Sequence, residues 1–185
     1  DMLISQGSTF TSTYVSSMVF PARSFSHISF VVEQDKKLMT YDFFPSGVRI
    51  LPLEQWLKDP GSRMAVYRAK DEQLAQRVAA RTVQVIQKFH KKNKSIFPYF
   101  YNEQSLDLTS KTPNGSLFCS GIVSWAFAKE TEGKVILPWK KSNFYFLDNA
   151  DVLLRLGVNK QQVFHPSDIE TDPNVELVAE SRMFN

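Results

Sequence analysis

Cysteine is almost absent from this chain, because its 185 residues include a single one, Cys119. One cysteine cannot close a disulfide within the chain, so the sequence excludes a disulfide-stapled fold and gives no indication of the redox compartment. A chain of this length can bury a hydrophobic core without cross-links. Since it also lacks internal repeats and glycine-rich linkers, the sequence predicts one domain over residues 1–185.

Long apolar runs are missing too, since none approaches the roughly 18 residues of a membrane-spanning helix. No signal-peptide pattern opens the chain at Asp1, and the sequence leaves open whether a leader was removed. Histidine is scarce, with three residues in the whole chain. Their spacing fits no metal-ligand motif, so we expect neither a metal nor a cofactor.

Strong charge of either sign is absent, because the formal net charge is only +3. The densest basic run, residues 88–94, falls at the end of a predicted helix, where lysines oppose the negative end of the helix dipole. This favours a solvated helix end over a nucleic-acid or membrane surface. We therefore expect no nucleic-acid partner.

The apolar and turn-forming residues that are present predict an α+β fold. Apolar segments separated by turn residues indicate an antiparallel meander at 26–34, 37–44 and 48–53, and further strands at 63–69 and 175–182. One or two helical turns are expected after the meander. Irregular composition predicts loops at 6–24, 95–117 and 139–146, and a short helix is expected at 149–157.

A change of period after residue 70 predicts the longest helix. Asp71 is its predicted N-cap, and Leu74, Val78 and Ile86 fall on one face at helical spacing. A second, mostly apolar helix is expected over 120–129. Its position decides how the single thiol is interpreted.

The segment GSLFCSGIVSWAF, residues 115–127, places Cys119 at the predicted start of that second helix. Unpaired N–H groups and the helix dipole favour a thiolate there, and the thiolate is the nucleophilic form of cysteine. Such a nucleophile needs a base, usually histidine, within hydrogen-bonding distance. Cysteines that only pack in a core are common, so the residues alone leave both roles open.

Among the three histidines, His27 is the best candidate for that base, because it opens an apolar strand after a long polar loop. His90 lies in the lysine-rich helix end and His165 precedes a proline, so we expect a surface residue and a turn cap. Asp42, amid apolar residues on the neighbouring strand, either orients the imidazole or is a charge on an edge strand. Glu33 is a weaker candidate for the orienting role.

The order of these segments resembles the circularly permuted papain-like hydrolases of the NlpC type, in particular the YiiX/YaeF-like branch of cysteine amidases and peptidases. The similar segments are DMLIS, FSHISFVV, YDFFPSGVRILPLEQWL, MAVYRAKD, FCSGIVSWAF and VFHPSDIETDPNVELV. This branch runs histidine, acid and cysteine, whereas unpermuted papain-like enzymes begin with the cysteine. Here CSG stands where many members have CSE, and the NCEHF-type motif of lecithin retinol acyltransferase-like relatives is absent.

The resemblance implies a permuted papain-like fold, in which an antiparallel sheet packs against the cysteine-bearing helix and the long amphipathic helix. It implies a hydrolase that cleaves an amide or an acyl ester through a thioester. Carried over by position, Cys119 is the nucleophile, His27 the general base and Asp42 the residue that orients it. Tyr99 and Tyr101 fall near a tyrosine that borders the oxyanion or substrate region. The resemblance also favours a periplasmic or cell-envelope location.

Two alternatives stay open from the sequence. One is a non-catalytic module on the same scaffold that binds a peptide or a lipid. The other is an acyltransferase, which shares the first half-reaction and passes the acyl group to an alcohol or an amine. In each case the expected partner is a peptide-like or acyl-containing molecule.

Overall fold

A computed structural model describes residues 1–7, 25–44, 47–58, 63–92, 119–134, 140–141, 162–163 and 165–182. Eight strands lie in these ranges: β1 (Met2–Gln6), β2 (His27–Gln34), β3 (Lys37–Phe44), β4 (Gly47–Pro52), β5 (Arg63–Ala69), β6 (Lys140–Lys141), β7 (Gln162–Val163) and β8 (Val175–Arg182). Six of them form an antiparallel sheet in the order β4-β3-β2-β1-β5-β8, and β6 pairs separately with β7.

Three α-helices accompany the sheet in the described ranges: α1 (Leu53–Trp56), α2 (Glu72–Lys92) and α3 (Cys119–Glu130). A 3-10 helix covers Pro166–Thr171. None of these helices is long and apolar enough to cross a membrane. The combination of one main antiparallel sheet with a few helices confirms the α+β prediction.

The predicted strands and helices within the described residues form where the sequence places them. The predicted strands 37–44, 63–69 and 175–182 are β3, β5 and β8, and the predicted meander is β2-β3-β4. The carboxylate of Asp71 caps α2, because it accepts a hydrogen bond of 2.9 Å from the backbone N–H of Leu74. Of the predicted loop 6–24, Gln6 instead ends β1, and residues 8–24 lie outside the described residues, as do the predicted loop 95–117 and the predicted helix 149–157. Within the predicted loop 139–146, Lys140–Lys141 instead forms β6.

Alternation along β2 and β3 sends their side chains into two different environments. One set joins the hydrophobic core together with apolar side chains of α2 and α3; its members are Ile28, Phe30, Tyr41 and Phe43. The intervening positions are buried but polar; they are His27, Ser29, Thr40 and Asp42. A slip of one residue in the pairing would exchange the two sets, so the apolar core fixes the register that brings the polar set together.

Helix α3 is enclosed by the core along most of its length, because every residue from Cys119 to Ala128 is buried. Its last residue, Glu130, is held by two arginines of α2. Arg81 donates a hydrogen bond from Nε to the Glu130 carboxylate, and Arg77 Nε lies 3.5 Å from the second carboxylate oxygen. A carboxylate at a helix C-terminus opposes the dipole, and these cations offset that cost. Core packing and this ion-pair cluster therefore hold α3 in place against α2.

The hairpin between β2 and β3 turns on two residues, Asp35 and Lys36. Both have positive φ angles, 52° and 61°, and Gln34 pairs with Lys37 across the turn. Two positive φ angles between paired strands are typical of a type I′ turn, for which aspartate followed by glycine is the preferred sequence. A lysine at the second position holds a left-handed backbone conformation at a cost in free energy.

We predict that Lys36→Gly raises the free energy of unfolding by about 1 kcal/mol, because glycine adopts this conformation without steric strain. Lys36 is exposed, so the change removes no buried contact. Chemical denaturation measures the effect. Lys37→Gly is the matched control and should lower the stability, since Lys37 lies in β3 without a positive φ angle. A loss of stability in Lys36→Gly would contradict this account of the turn.

Candidate active site

Asp42 is a buried acid on an interior strand of the sheet. It lies on β3, between β2 and β4, and its exposed fraction is 1%. The alternative in which Asp42 is a charge on an edge strand is therefore wrong. A carboxylate in this position is unstable unless hydrogen-bond donors or cations surround it.

Three side chains donate hydrogen bonds to the Asp42 carboxylate, each from a different element. The hydroxyl of Ser29 on β2 lies 3.0 Å from Oδ2, and the indole Nε1 of Trp56 on α1 lies 3.1 Å from the same oxygen. Arg49 on β4 donates from Nη2 to Oδ2 at 3.2 Å and from Nε to Oδ1 at 3.4 Å. The carboxylate is thereby fixed in position and orientation.

His27 faces this carboxylate from the first residue of β2. Its Nε2 lies 3.5 Å from Asp42 Oδ2, and only 8% of the residue is exposed. Ser29 follows two residues later on the same strand, so both side chains lie on the same face. The imidazole and the hydroxyl therefore approach Asp42 from one strand.

The backbone just before His27 is held by a side chain from the far end of the chain. The hydroxyl of Ser167, in the 3-10 helix, accepts a hydrogen bond from the backbone N–H of Phe25 at 3.1 Å. The same hydroxyl donates to the Phe25 carbonyl oxygen at 3.3 Å. Both residues are fully buried. The backbone N–H of Ser26 donates to the Ser5 carbonyl of β1 at 2.9 Å. These contacts define the position from which the imidazole projects.

Cys119 interacts with the same imidazole. It is the first residue of α3 and is 1% exposed. The His27 ring interacts with Cys119 both by a hydrogen bond and by charge attraction. The unpaired N–H groups and the dipole at the start of a helix of 12 residues also stabilise negative charge on the sulfur.

These neighbours change the ionisation of both His27 and Asp42. Burial disfavours the charged imidazolium, but attraction to Cys119 and the hydrogen bonds with Asp42 and Cys119 together raise the pKa of His27 from its ordinary 6.5 to about 9. Burial likewise disfavours the carboxylate, but the hydrogen bond and charge of His27, followed by those of Arg49, hold the pKa of Asp42 below its usual range. The two groups stabilise each other's charged forms.

The other candidate residues lie elsewhere. Glu33 is exposed near the far end of β2, and the buried His165 caps the 3-10 helix, where Nδ1 accepts from the Ser167 N–H at 3.2 Å. The latter confirms the predicted turn cap. Tyr99 and Tyr101 lie outside the described residues. Within the described residues, no group of three or more His, Cys, Asp or Glu side chains is placed to hold a metal ion.

Sequence reasoning missed the three donors on Asp42. Ser29 carried a signal, because it lies two residues after His27 and so must share its face of β2. Arg49 lies opposite Asp42 in the β3–β4 ladder, which depends on the register of that hairpin. Trp56 carried no signal, since its reach to Asp42 depends on how α1 folds back over the sheet.

Comparison with known proteins gives a match in structure and none in sequence. No family model and no curated protein matches the chain. The fold is similar to that of a solved structure described as metalloprotein yiiX from Escherichia coli O157:H7, with a TM-score of 0.67 and 18% identity. The match covers 98% of this chain and 96% of that chain. The two proteins therefore share a fold over nearly their whole lengths.

We predict that the His27 ring titrates near pH 9 and that Asp42→Asn moves the midpoint down toward the ordinary value. The reason is that the variant loses a negative charge facing Nε2. An NMR titration of the histidine ring resonances measures both midpoints, and the spectrum of His27→Gln identifies which signal belongs to His27. An unchanged or higher midpoint in Asp42→Asn would show that the carboxylate does not stabilise the imidazolium.

Proposed function

We propose that this protein is a thiol hydrolase of the permuted papain-like, NlpC-type class, which cleaves an amide or acyl-ester bond. One observation carries the proposal: a buried imidazole, His27, interacts both with the only thiol of the chain and with a buried carboxylate, Asp42. A nucleophile, a base and a group that orients the base are the minimum set for covalent acyl transfer.

The order of these residues and the fold add support. Along the chain the histidine on β2 comes first, the acid on β3 second and the cysteine at the start of α3 last, which is the order of the permuted branch. The shared fold with the yiiX structure agrees with that assignment at the level of architecture. The substrate class rests on the chemistry of the three side chains.

In the proposed first step, the Cys119 thiol gives its proton to His27. Since Nε2 of the ring faces Asp42, Nδ1 is the nitrogen that takes this proton. The resulting imidazolium is stabilised by Asp42, and the thiolate is stabilised by the imidazolium and by the start of α3. Asp42 itself keeps its charge throughout and only holds the ring in place.

In the second step, the thiolate adds to the substrate carbonyl carbon and the carbonyl oxygen becomes an oxyanion. The backbone N–H of Cys119, which opens α3, is one donor for that oxygen; each such donor contributes about 3 kcal/mol to the transition state in comparable sites. His27 then returns its proton to the leaving amine or alcohol as the bond to the carbonyl carbon breaks. A thioester with Cys119 remains.

In the last step, water hydrolyses the thioester. The proton transfers of the first half-reaction run in reverse, with water in place of the leaving amine or alcohol. Neutral His27 takes a proton from the water molecule while its oxygen adds to the thioester carbonyl. Collapse of this second tetrahedral adduct breaks the carbon–sulfur bond, releases the acid and leaves the proton on the thiolate–imidazole pair. The site is then ready for another turnover.

The related yiiX structure is described as a metalloprotein, so the fit of a metal to this site needs a test. The oxygens of Asp42 already accept from Ser29, Arg49 and Trp56. Only His27 and Cys119 then remain as ligands at this site, and the described residues offer no third one. Two ligands are fewer than the three that catalytic zinc sites use. The donor set does not fit a metal, and the mechanism uses none.

We predict that Cys119→Ala lowers hydrolysis by about a thousandfold or more, because the covalent step is lost. His27→Ala should lose nearly as much, and Asp42→Asn less, since it removes orientation and not the base. A panel of p-nitrophenyl esters and peptide p-nitroanilides supplies the substrates, and mass measurement detects the acyl adduct on Cys119. His90→Gln is the control and should match the wild type. Undiminished turnover in folded Cys119→Ala would refute the proposed function.

We also predict that a chelator leaves hydrolysis unchanged, because the part of the chain that the structure describes offers too few ligands for a catalytic metal. The rate is measured before and after dialysis against EDTA, with the thiol kept reduced. Loss of activity that added zinc restores would show that ligands outside the described residues complete a metal site.

A further inference from the structure

We propose that Arg49 is a positioning residue of this site, which acts through Asp42 to hold the carboxylate toward His27 and to limit how strongly it stabilises the imidazolium. This inference rests on the proposed function for its consequence in catalysis. Its physical content, a coupling between Arg49 and the His27 ring, can be measured whether or not the protein hydrolyses a substrate.

The contact between Arg49 and Asp42 has the geometry of a fork. Arg49 lies directly opposite Asp42 in the β3–β4 ladder, and its Nη2 and Nε reach Oδ2 and Oδ1 at 3.2 Å and 3.4 Å. A guanidinium that binds both oxygens of a carboxylate fixes the rotation of the carboxylate plane, which a single donor cannot do. The plane of Asp42 is therefore set from β4.

The Asp42 oxygen Oδ2, which accepts a hydrogen bond from Arg49, also faces His27. Oδ2 lies 3.2 Å from Arg49 Nη2 and 3.5 Å from His27 Nε2, so the two cations share one acceptor. Because His27 also interacts with Cys119, four groups linked in sequence alternate in charge: guanidinium, carboxylate, imidazolium and thiolate. Transfer of the proton from Cys119 to His27 leaves the net charge of this chain of groups unchanged.

Arg49 is the outermost of the four, since its side chain is 29% exposed while that of Asp42 is fully buried. The other described groups that face Asp42 are neutral donors, Ser29 from β2 and Trp56 from α1. His27 in turn faces Asp42 and Cys119. Arg49 is thus the cation that competes with the imidazolium for the Asp42 charge, and it does so from the solvent side.

Removal of the guanidinium should therefore strengthen the remaining ion pair. The carboxylate would have one cation in place of two, and the repulsion between guanidinium and imidazolium would vanish. Both changes favour protonated His27. A more strongly stabilised imidazolium is a weaker acid and gives its proton to the leaving group less readily. The proposed reaction should therefore slow while substrate binding is retained.

The experiment compares Arg49→Gln, Arg49→Lys and the wild type by NMR titration of the His27 ring. We expect the midpoint in Arg49→Gln to rise by about one pH unit, and that in Arg49→Lys to stay nearer the wild type because the charge is kept. The matched control is Arg68→Gln, which breaks another fork with a carboxylate, that of Asp1, on the same sheet. It should leave the midpoint unchanged.

An unchanged or lower midpoint in Arg49→Gln would overturn the proposal, and so would an equal rise in Arg68→Gln. The wild type gives a second test that requires no variant. Because coupling is reciprocal, the Arg49 Nε–H resonance should shift with the same midpoint as the His27 ring. Its failure to shift would also overturn the proposal. If neither the wild type nor the Arg49 variants hydrolysed any substrate, but the midpoint of the His27 ring still shifted as expected, the proposed function would be refuted and the coupling between Arg49 and His27 would stand.

Discussion

A buried carboxylate must be compensated, and the compensation of Asp42 is the constraint on which this site depends. An isolated charge at 1% exposure would cost several kcal/mol or take up a proton. Donors from β2, β4 and α1 converge on Asp42, so the carboxylate stays ionised and its orientation is determined by three separate elements. The fold supplies these donors only when β2, β3 and β4 pair in one register, and the apolar residues between the polar ones enforce that register.

The fixed charge of Asp42 affects the ionisation of two further groups, His27 and Cys119. Asp42 stabilises protonated His27, and protonated His27 stabilises negative charge on Cys119 at the start of α3. Each group is placed by different contacts: Asp42 by its donors, the start of β2 by Ser167, and α3 by the core and by the arginines that hold Glu130. Such independent supports give a site little freedom to rearrange, which is the condition for pre-organised covalent catalysis. The proposed function uses this rigidity directly.

Much of the fold could be predicted from the sequence, because β3, β5, β8 and the cap of α2 rest on local signals. Alternating apolar residues and turn residues mark strands, and Asp71 marks a helix start. The candidate residues could be named, but not the neighbours that determine their chemistry. Arg49 meets Asp42 only through a hairpin register, and Trp56 only through the path of α1, so both depend on tertiary structure. The assignment of Cys119, His27 and Asp42 to catalytic roles remains a prediction.

The most direct test of the account is the ultraviolet absorbance of the thiolate as a function of pH. The chain has one cysteine, so the signal reports Cys119 alone. The account predicts a thiolate already present at neutral pH, most of which disappears in a folded His27→Gln variant. A signal that appears only near about pH 8.5, where an ordinary cysteine ionises, and that is the same in both proteins would contradict it.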